Sequence, residues 1–259
     1  MQKSVRRESE RVARLNQLAE MGQLAAGLAH ELKNPLSTLK LNLQLLEEDL
    51  KDLPGAQHSV HRLATLKKEA DRMRHTLDDF LRFAGRIELR LETVSLNQVV
   101  EELIDFILPQ AQAARVRVLT SLAPEDPHCP LDVNLFKQAL LNLLLNALQA
   151  MPANRNGGQG GGELLVRTLQ AKDCAILYVS DTGVGIPPEN LPRIFDAYFT
   201  TKKGGTGLGL PTTRRIIEEH NGHISVTSEP GRGTSFRVDI PLAFTDPRPD
   251  ACAGPISVP

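Results

Sequence analysis

Between Met21 and Leu53, apolar residues recur in steps of three and four: Met21, Ala25, Leu28, Leu32, Leu36, Leu39, Leu43, Leu46, Leu50 and Leu53. A single stripe of this kind predicts one long amphipathic helix. Leu53-Pro54-Gly55 breaks it. A second stripe follows at Val60, Leu63, Leu66, Ala70, Met73, Leu77, Phe80, Ala84, Ile87 and Leu91. Two long helices joined by a short Pro-Gly turn predict an antiparallel hairpin. A lone hairpin buries little, so two copies are expected to pair as a four-helix bundle, making this half a homodimer. Upstream, Val5, Val12 and Ala19 stand seven apart in a polar, helix-prone stretch. That spacing suits either a signalling coiled coil or a charged helical extension over residues 1–20.

After Leu91 the pattern changes. Ser95 is placed to cap a helix from about Leu96 to Ala114, and Arg115 to Leu122 alternates as a strand. Asp132 to Met151 reads as a strongly apolar helix. The glycine-rich run Gly157–Gly162 lacks a following Lys-Ser/Thr, so it is a connector and not a Walker A loop. Strands are predicted at Glu163–Leu169 and Ala175–Ser180, then a helix from about Leu208 to His220 stopped by Asn221-Gly222, then strands near His223–Ser228 and Thr234–Pro241. Mixed strands and helices with neighbouring late strands predict an α+β sandwich. Four prolines after Thr245 predict a disordered tail over residues 245–259. The domains are thus expected at 1–20, 21–92 (hairpin), 93–244 (sandwich) and 245–259.

Composition narrows the function classes. Apolar residues are 41% and charged residues 24% of 259, ordinary globular usage. A net charge of −1 and 4% aromatics with no Trp argue against a broadly basic nucleic-acid binder and against a base-stacking platform. Three cysteines without a C-x-x-C pair suit neither a zinc site nor a disulfide framework. With no long apolar run and no signal-peptide core, a cytoplasmic location is expected.

His30 lies off the first stripe. With Leu28 at 0°, the stripe centres near about 40° and His30 falls at about 200°, on the outer face, with Asn34 one turn on. Pro35 lacks the N–H that would bond the Glu31 carbonyl, so the helix is expected to bend or loosen there. An accessible imidazole beside an acid is a candidate nucleophile; the plainer reading is an exposed surface histidine.

A second constellation lies in the sandwich. Asn142 and Asn146 are i, i+4 among leucines. Their oxygens suit Mg²⁺, and equally they suit backbone partners in a core. Asp181-Thr182-Gly183-Val184-Gly185-Ile186-Pro187 follows a predicted strand. A carboxylate there accepts from an exocyclic amine such as adenine's, and alternate glycines let a flat ring approach backbone. Gly204-Gly205-Thr206-Gly207-Leu208-Gly209-Leu210 opens a helix, where free N–H groups favour phosphate.

Together these motifs resemble the sensor histidine kinases of two-component signalling. Ala29 to Leu36 resembles the H box, Asn142 to Ala147 the N box, Asp181 to Pro187 the G1 box, Ile194 to Lys202 the F box and Gly205 to Leu210 the G2 box. The resemblance covers about Met21 to Leu242. It implies a dimerisation and phosphotransfer hairpin followed by a GHKL-type ATP-binding α/β sandwich with a short lid containing the F box. It further implies ATP and Mg²⁺ as cofactors and a response-regulator receiver domain as partner. By that likeness His30 is the phosphoacceptor, Glu31 its general base, Asn146 the Mg²⁺ ligand with Asn142 in support, and Asp181 the adenine reader beside Gly183 and Gly185. Gly205, Gly207, Leu208 and Gly209 form the phosphate loop, with Lys202 a γ-phosphate partner. Kinases with this H-box pattern often also dephosphorylate their regulator through the residue at Asn34.

The chain departs from the family at Gln149 and Ala150, where a basic residue and an aromatic are common. Three other readings share the fold, one of them a GHKL protein-serine kinase, which would not need the His30 hairpin. Water-hydrolysing GHKL ATPases place a Glu base where this chain has Asn142, and an amide takes no proton from water. A dimeric scaffold without kinase activity would not need intact H, N, G1 and G2 residues.

Overall fold

The structure, a computed structural model, describes residues 32, 35–50, 57–85, 87–151, 161–202 and 205–243. The N-terminal stretch 1–20, His30, Glu31, Asn34, the connection at 53–56 and the tail 245–259 lie outside the described residues. The chain divides into two compact units, Met1–Arg86 and Ile87–Pro259.

In the first unit, residues 35–50 (α1) and Gln57–Ala84 (α2) are helical. Lys40 pairs with Asp71 at 2.7 Å and Lys67 with Glu47. A later position on one helix thus meets an earlier one on the other, so the two run antiparallel, as a hairpin requires. Leu43, Leu63 and Ala70 are buried between them, with Leu50 alongside. The second helix ends earlier than its stripe suggested. Gly85 donates its N–H to the Leu81 carbonyl as the last turn closes, and Ile87 packs instead against the core of the second unit.

The second unit is a two-layer α/β sandwich. Its larger sheet has five strands in the order β2 (Arg117–Ser121), β4 (Glu163–Gln170), β5 (Cys174–Asp181), β7 (Gly233–Pro241), β6 (His223–Glu229). The β2–β4 pair is parallel and the rest are antiparallel. Helices α3 (Leu96–Ala113), α4 (Val133–Ala150) and α5 (Gly209–Glu219) pack on one face. A small antiparallel pair, β1 (Glu92–Ser95) with β3 (His128–Leu131), was not predicted, because Pro127, Pro130 and four-residue strands leave no periodicity to read. Ser95 does cap α3, accepting from the Gln98 N–H. The core fills from alternate strand positions, Leu164, Val166, Leu177, Val179 and Val238, against Phe136, Leu140, Leu143 and Leu144 of α4. Among the described cysteines, Cys129 is a buried free thiol and Cys174 is disulfide-bonded. A single bridge is not the multi-bridge framework that the cysteine spacing argues against.

Candidate nucleotide site

α4 has two faces. Phe136, Ala139, Leu140, Leu143, Leu144, Ala147 and Leu148 are buried against the sheet. Asn142, Asn146 and Gln149, at i, i+4 and i+7, form a polar stripe outside that core. The two asparagines are half-buried and are not core amides. Among the described residues, Asn142 Nδ2 makes long contacts, 3.4 Å to the Gly209 carbonyl and 3.5 Å to Thr213 Oγ1. It therefore stands where α5 begins.

Asp181 ends β5, in register with Leu164 and Thr234. It is 8% exposed, and its Oδ1 accepts the Gly183 N–H at 2.8 Å. Burial pushes this carboxyl above its usual range; the N–H groups of Gly183 and Thr234 and the charge of Lys202 oppose that shift. The carboxylate is held where a hydrogen-bond donor would relieve it. Gly183 is required by proximity: a Cβ there would stand 2.6 Å from the Ala150 carbonyl. That contact, with the Val184 N–H on the same carbonyl at 3.1 Å, seats the Asp181 loop on the end of α4. Gly185 follows in this loop.

The segment from Ile194 to Lys202 comes next. Ile194 is buried, the Arg193 guanidinium lies 4.5 Å from the Phe199 ring centre, and that of Arg214 on α5 lies 5.5 Å from Phe195. Tyr198 has φ +65° and donates its N–H to the Gly207 carbonyl at 3.0 Å. Gly207, at φ +69°, is needed twice over, since a Cβ would meet the Tyr198 carbonyl carbon at 2.5 Å. Gly205 donates to the Lys202 carbonyl at 3.2 Å, closing the turn that presents Lys202. Lys203 and Gly204 lie outside the described residues.

The Lys202 ammonium reaches back to α4, 2.6 Å from Asn146 Oδ1 and 2.8 Å from Gln149 Oε1. The residue as a whole is exposed, but protein crowds its ammonium, and that desolvation pulls its pKa below the usual lysine range, with the Asp181 charge opposing. Gly209 opens α5, where Leu208 supplies no side-chain cap and Pro211 sits in the first turn. The uncapped N–H groups lie at the end of α5 whose first residue meets Asn142.

Asn142, Asn146, Asp181, Gly183, Lys202, Gly207 and Gly209, distant in sequence, are thus brought into one connected cluster. His30, Glu31 and Asn34 belong to the other unit and lie outside the described residues. Three positions escaped the sequence reading: Gln149 as a partner of Lys202, Thr213 beside Asn142, and His220, whose Nε2 accepts the Asp132 N–H at the start of α4. Nothing in the spacing of isolated polar residues signals such contacts.

Two families match the chain. The histidine kinase-, DNA gyrase B- and HSP90-like ATPase family matches residues 131–243, and the His Kinase A phospho-acceptor domain matches residues 20–89. The chain is 35% identical over 241 residues to the signal transduction histidine-protein kinase AtoS of Escherichia coli K12, covering 92% of this chain and 38% of that protein. It is 34% identical to the sensor histidine kinase ZraS of Salmonella typhimurium, covering 93% and 50%. The chain therefore spans half or less of the length of these relatives. Among solved structures, full-length ShkA in complex with AMPPNP superposes with a TM-score of 0.71 at 26% identity, covering 88% of this chain and 48% of that one.

Proposed function

The chain belongs to the sensor histidine kinases of two-component signalling, and we propose on that footing that it moves the γ-phosphoryl group of ATP to His30 and onward to an aspartate of a response-regulator receiver domain. The observation that carries the nucleotide half of this reading is the meeting of Lys202, Asn146, Asp181 and the α5 N-terminus in one cluster. Asp181 accepts the adenine amine, its buried charge strengthening that bond. The N–H groups at Gly209 and Leu210 bind phosphate oxygens.

The donor set fits Mg²⁺. Asn146 and Gln149 already turn carbonyl oxygens to a cation, the Lys202 ammonium, and hard oxygen ligands shared with phosphates are what Mg²⁺ takes. Asn146 would hold it, with Asn142 in support. Held there, Mg²⁺ would supply neutralisation of charge developing on the phosphates.

In the transfer, a His30 ring nitrogen forms the N–P bond as the β–γ bridging P–O bond breaks and ADP departs. Glu31 takes the ring proton. The hairpin supports a homodimer: Leu39, Leu46, Leu66 and Met73 are about half exposed, apolar surface that a second hairpin would cover in a four-helix bundle. Among the described residues no helix is long and apolar enough to cross a membrane; a cytoplasmic site of action is part of the proposal.

The test is incubation with γ-labelled Mg-ATP and a panel of response regulators. The parent should take up label that is acid-labile and base-stable and pass it to one regulator. His30→Gln should bind ATP and take up none. Label retained on His30→Gln, or stable in acid and lost in base, excludes the phosphohistidine reading.

A further inference from the structure

Lys202 comes from the F-box segment, yet its ammonium sits on α4, on oxygens of two residues in successive turns. Asn146 is one, and Gln149 is the other. Gln149 is the position at which the family commonly carries a basic side chain. Here the positive charge over that end of the polar stripe arrives through space, and Gln149 contributes the acceptor that receives it.

The backbone aims Lys202 at this place. Its N–H bonds Thr200 Oγ1 at 3.1 Å, and its carbonyl takes the Gly205 N–H. Gly205 packs so closely that a Cβ would lie 2.7 Å from Thr200 Oγ1. The turn is fixed at both ends, and the side chain spans from it to α4. The nearby Asp181 carboxylate adds a negative field that favours the charged ammonium. Two amide oxygens and a carboxylate field therefore act on one tethered cation.

We propose that Asn146 and Gln149 form a berth in which the Lys202 ammonium acts as a built-in counter-cation competing with the divalent ion, and that Gln149 is the positioning residue that holds it there. This rests on reading the cluster as a Mg-nucleotide site. Two cations drawn to the same Asn146 oxygen repel one another. Mg²⁺ entry with a nucleotide must therefore shift the ammonium off Asn146, and an ammonium near the phosphates supplies part of the charge Mg²⁺ would otherwise bring. On both counts the berth lowers the advantage that Mg²⁺ confers on nucleotide binding.

The experiment measures ADP affinity of the whole chain by calorimetry, with and without saturating Mg²⁺, in the parent, Gln149→Met, Lys202→Met and the double variant. ADP avoids any contact specific to the γ-phosphate. The factor by which Mg²⁺ tightens ADP should rise about two- to fivefold in Gln149→Met, the worth of one exposed charge-assisted contact. It should rise at least as far in Lys202→Met, and the double variant should match Lys202→Met, because Gln149 acts only through Lys202. In parallel, the Lys202 ammonium signal of ¹⁵N-lysine-labelled ligand-free parent, assigned by its loss in Lys202→Met, should broaden into solvent exchange in Gln149→Met. An unchanged or smaller factor in either single variant, an additive double variant, or an ammonium signal indifferent to Gln149 overturns the berth. A parent that binds no ADP with Mg²⁺ overturns the nucleotide reading itself, a separate and recognisable result.

Discussion

Asp132 donates its backbone N–H to Nε2 of His220 at 2.9 Å, although 88 positions separate them. The other ring nitrogen meets the Ile216 carbonyl at 2.7 Å, so Nδ1 carries the proton and Nε2 accepts. Asp132 in turn caps α4 through the Leu135 N–H at 3.1 Å and receives the Arg90 N–H at 3.0 Å. The start of α4 is thereby fastened to the end of α5, with the Phe136 ring set edge-on to the imidazole. Further along, Asn142 meets the first residue of α5. The helix that opens at the phosphate loop, α5, is therefore held to α4 at both of its own ends.

His220 should make this brace pH-sensitive. Burial holds its pKa below 6.5, against the Ile216 carbonyl and the carboxylates of Asp132 and Glu219, which favour the charged ring. Neutral in the fold and free to protonate once unfolded, it lets the unfolded state bind more protons below about pH 6.5. Its contribution is complete above that pH and is lost as pH falls through the window down to its folded value. Urea titrations from pH 7.5 downward should show the parent losing stability in that window relative to His220→Leu. At pH 7.5 the variant should be weaker by about 2 kcal/mol, since the Asp132 N–H loses its acceptor. Equal stability of the two at pH 7.5 would show that the Asp132–His220 bond contributes nothing to the brace.

The separation of what was legible from what was not follows the physics of each feature. The faces of α4 were readable because leucines repeat with the helix period, and the Asn pair stood out against them. Asp181 and the glycines were readable because strand-end acids and helix-opening glycines serve few purposes. His220 was not, since its value lies in a bond to a backbone N–H set by tertiary packing. Lys202 on Gln149 was hidden for the same reason, as was β1 on β3, where pairing across the chain replaces local alternation. The premature end of α2 at Gly85 is the converse case: the apolar period continued past the helix because Ile87 serves a different core.

Asp181→Asn separates stability from recognition. The carboxylate's raised pKa means that the folded state bears an unfavourable buried charge at neutral pH. Asparagine removes that charge and retains an oxygen for the Gly183 N–H. The variant should be at least as stable as the parent in urea at pH 7. Its preference for ATP over GTP should shrink, because a neutral acceptor bonds an exocyclic amine about half as strongly as a charged one. Competition binding with the two nucleotides reads the preference directly, and an undiminished preference would remove Asp181 from the adenine pocket.

Asn34 tests the second activity that the H-box likeness implies. On an ideal helix it lies one turn beyond His30 and about 40° around the axis, so a receiver domain docked to take phosphate from His30 would present its phospho-aspartate over both. An amide there can orient water without being consumed. Asn34→Ala should leave labelling of His30 intact and slow the loss of phosphate from the regulator in the presence of ADP. Dephosphorylation at the parent's rate would restrict Asn34 to its local role before Pro35.

Two glycines of the phosphate loop should fail in different ways. At Gly207 an alanine would take a left-handed φ and drive its Cβ to 2.5 Å from the Tyr198 carbonyl carbon, a backbone atom that cannot rotate away. Gly207→Ala should therefore cost about 1–3 kcal/mol in stability and displace the segment that presents Lys202, weakening nucleotide binding as a consequence. At Gly209 the nearest atoms to a Cβ belong to the Asn142 amide at 3.9 Å, ordinary contact, and its φ is not left-handed. Gly209→Ala should fold as well as the parent or gain a few tenths of a kcal/mol from helix propensity. Its nucleotide affinity should nevertheless fall, because the added methyl occupies the approach to the uncapped N–H groups of α5. Thermal melts paired with ADP calorimetry on both variants distinguish the two mechanisms. A Gly209→Ala variant that binds ADP like the parent would place the phosphates away from the α5 N-terminus.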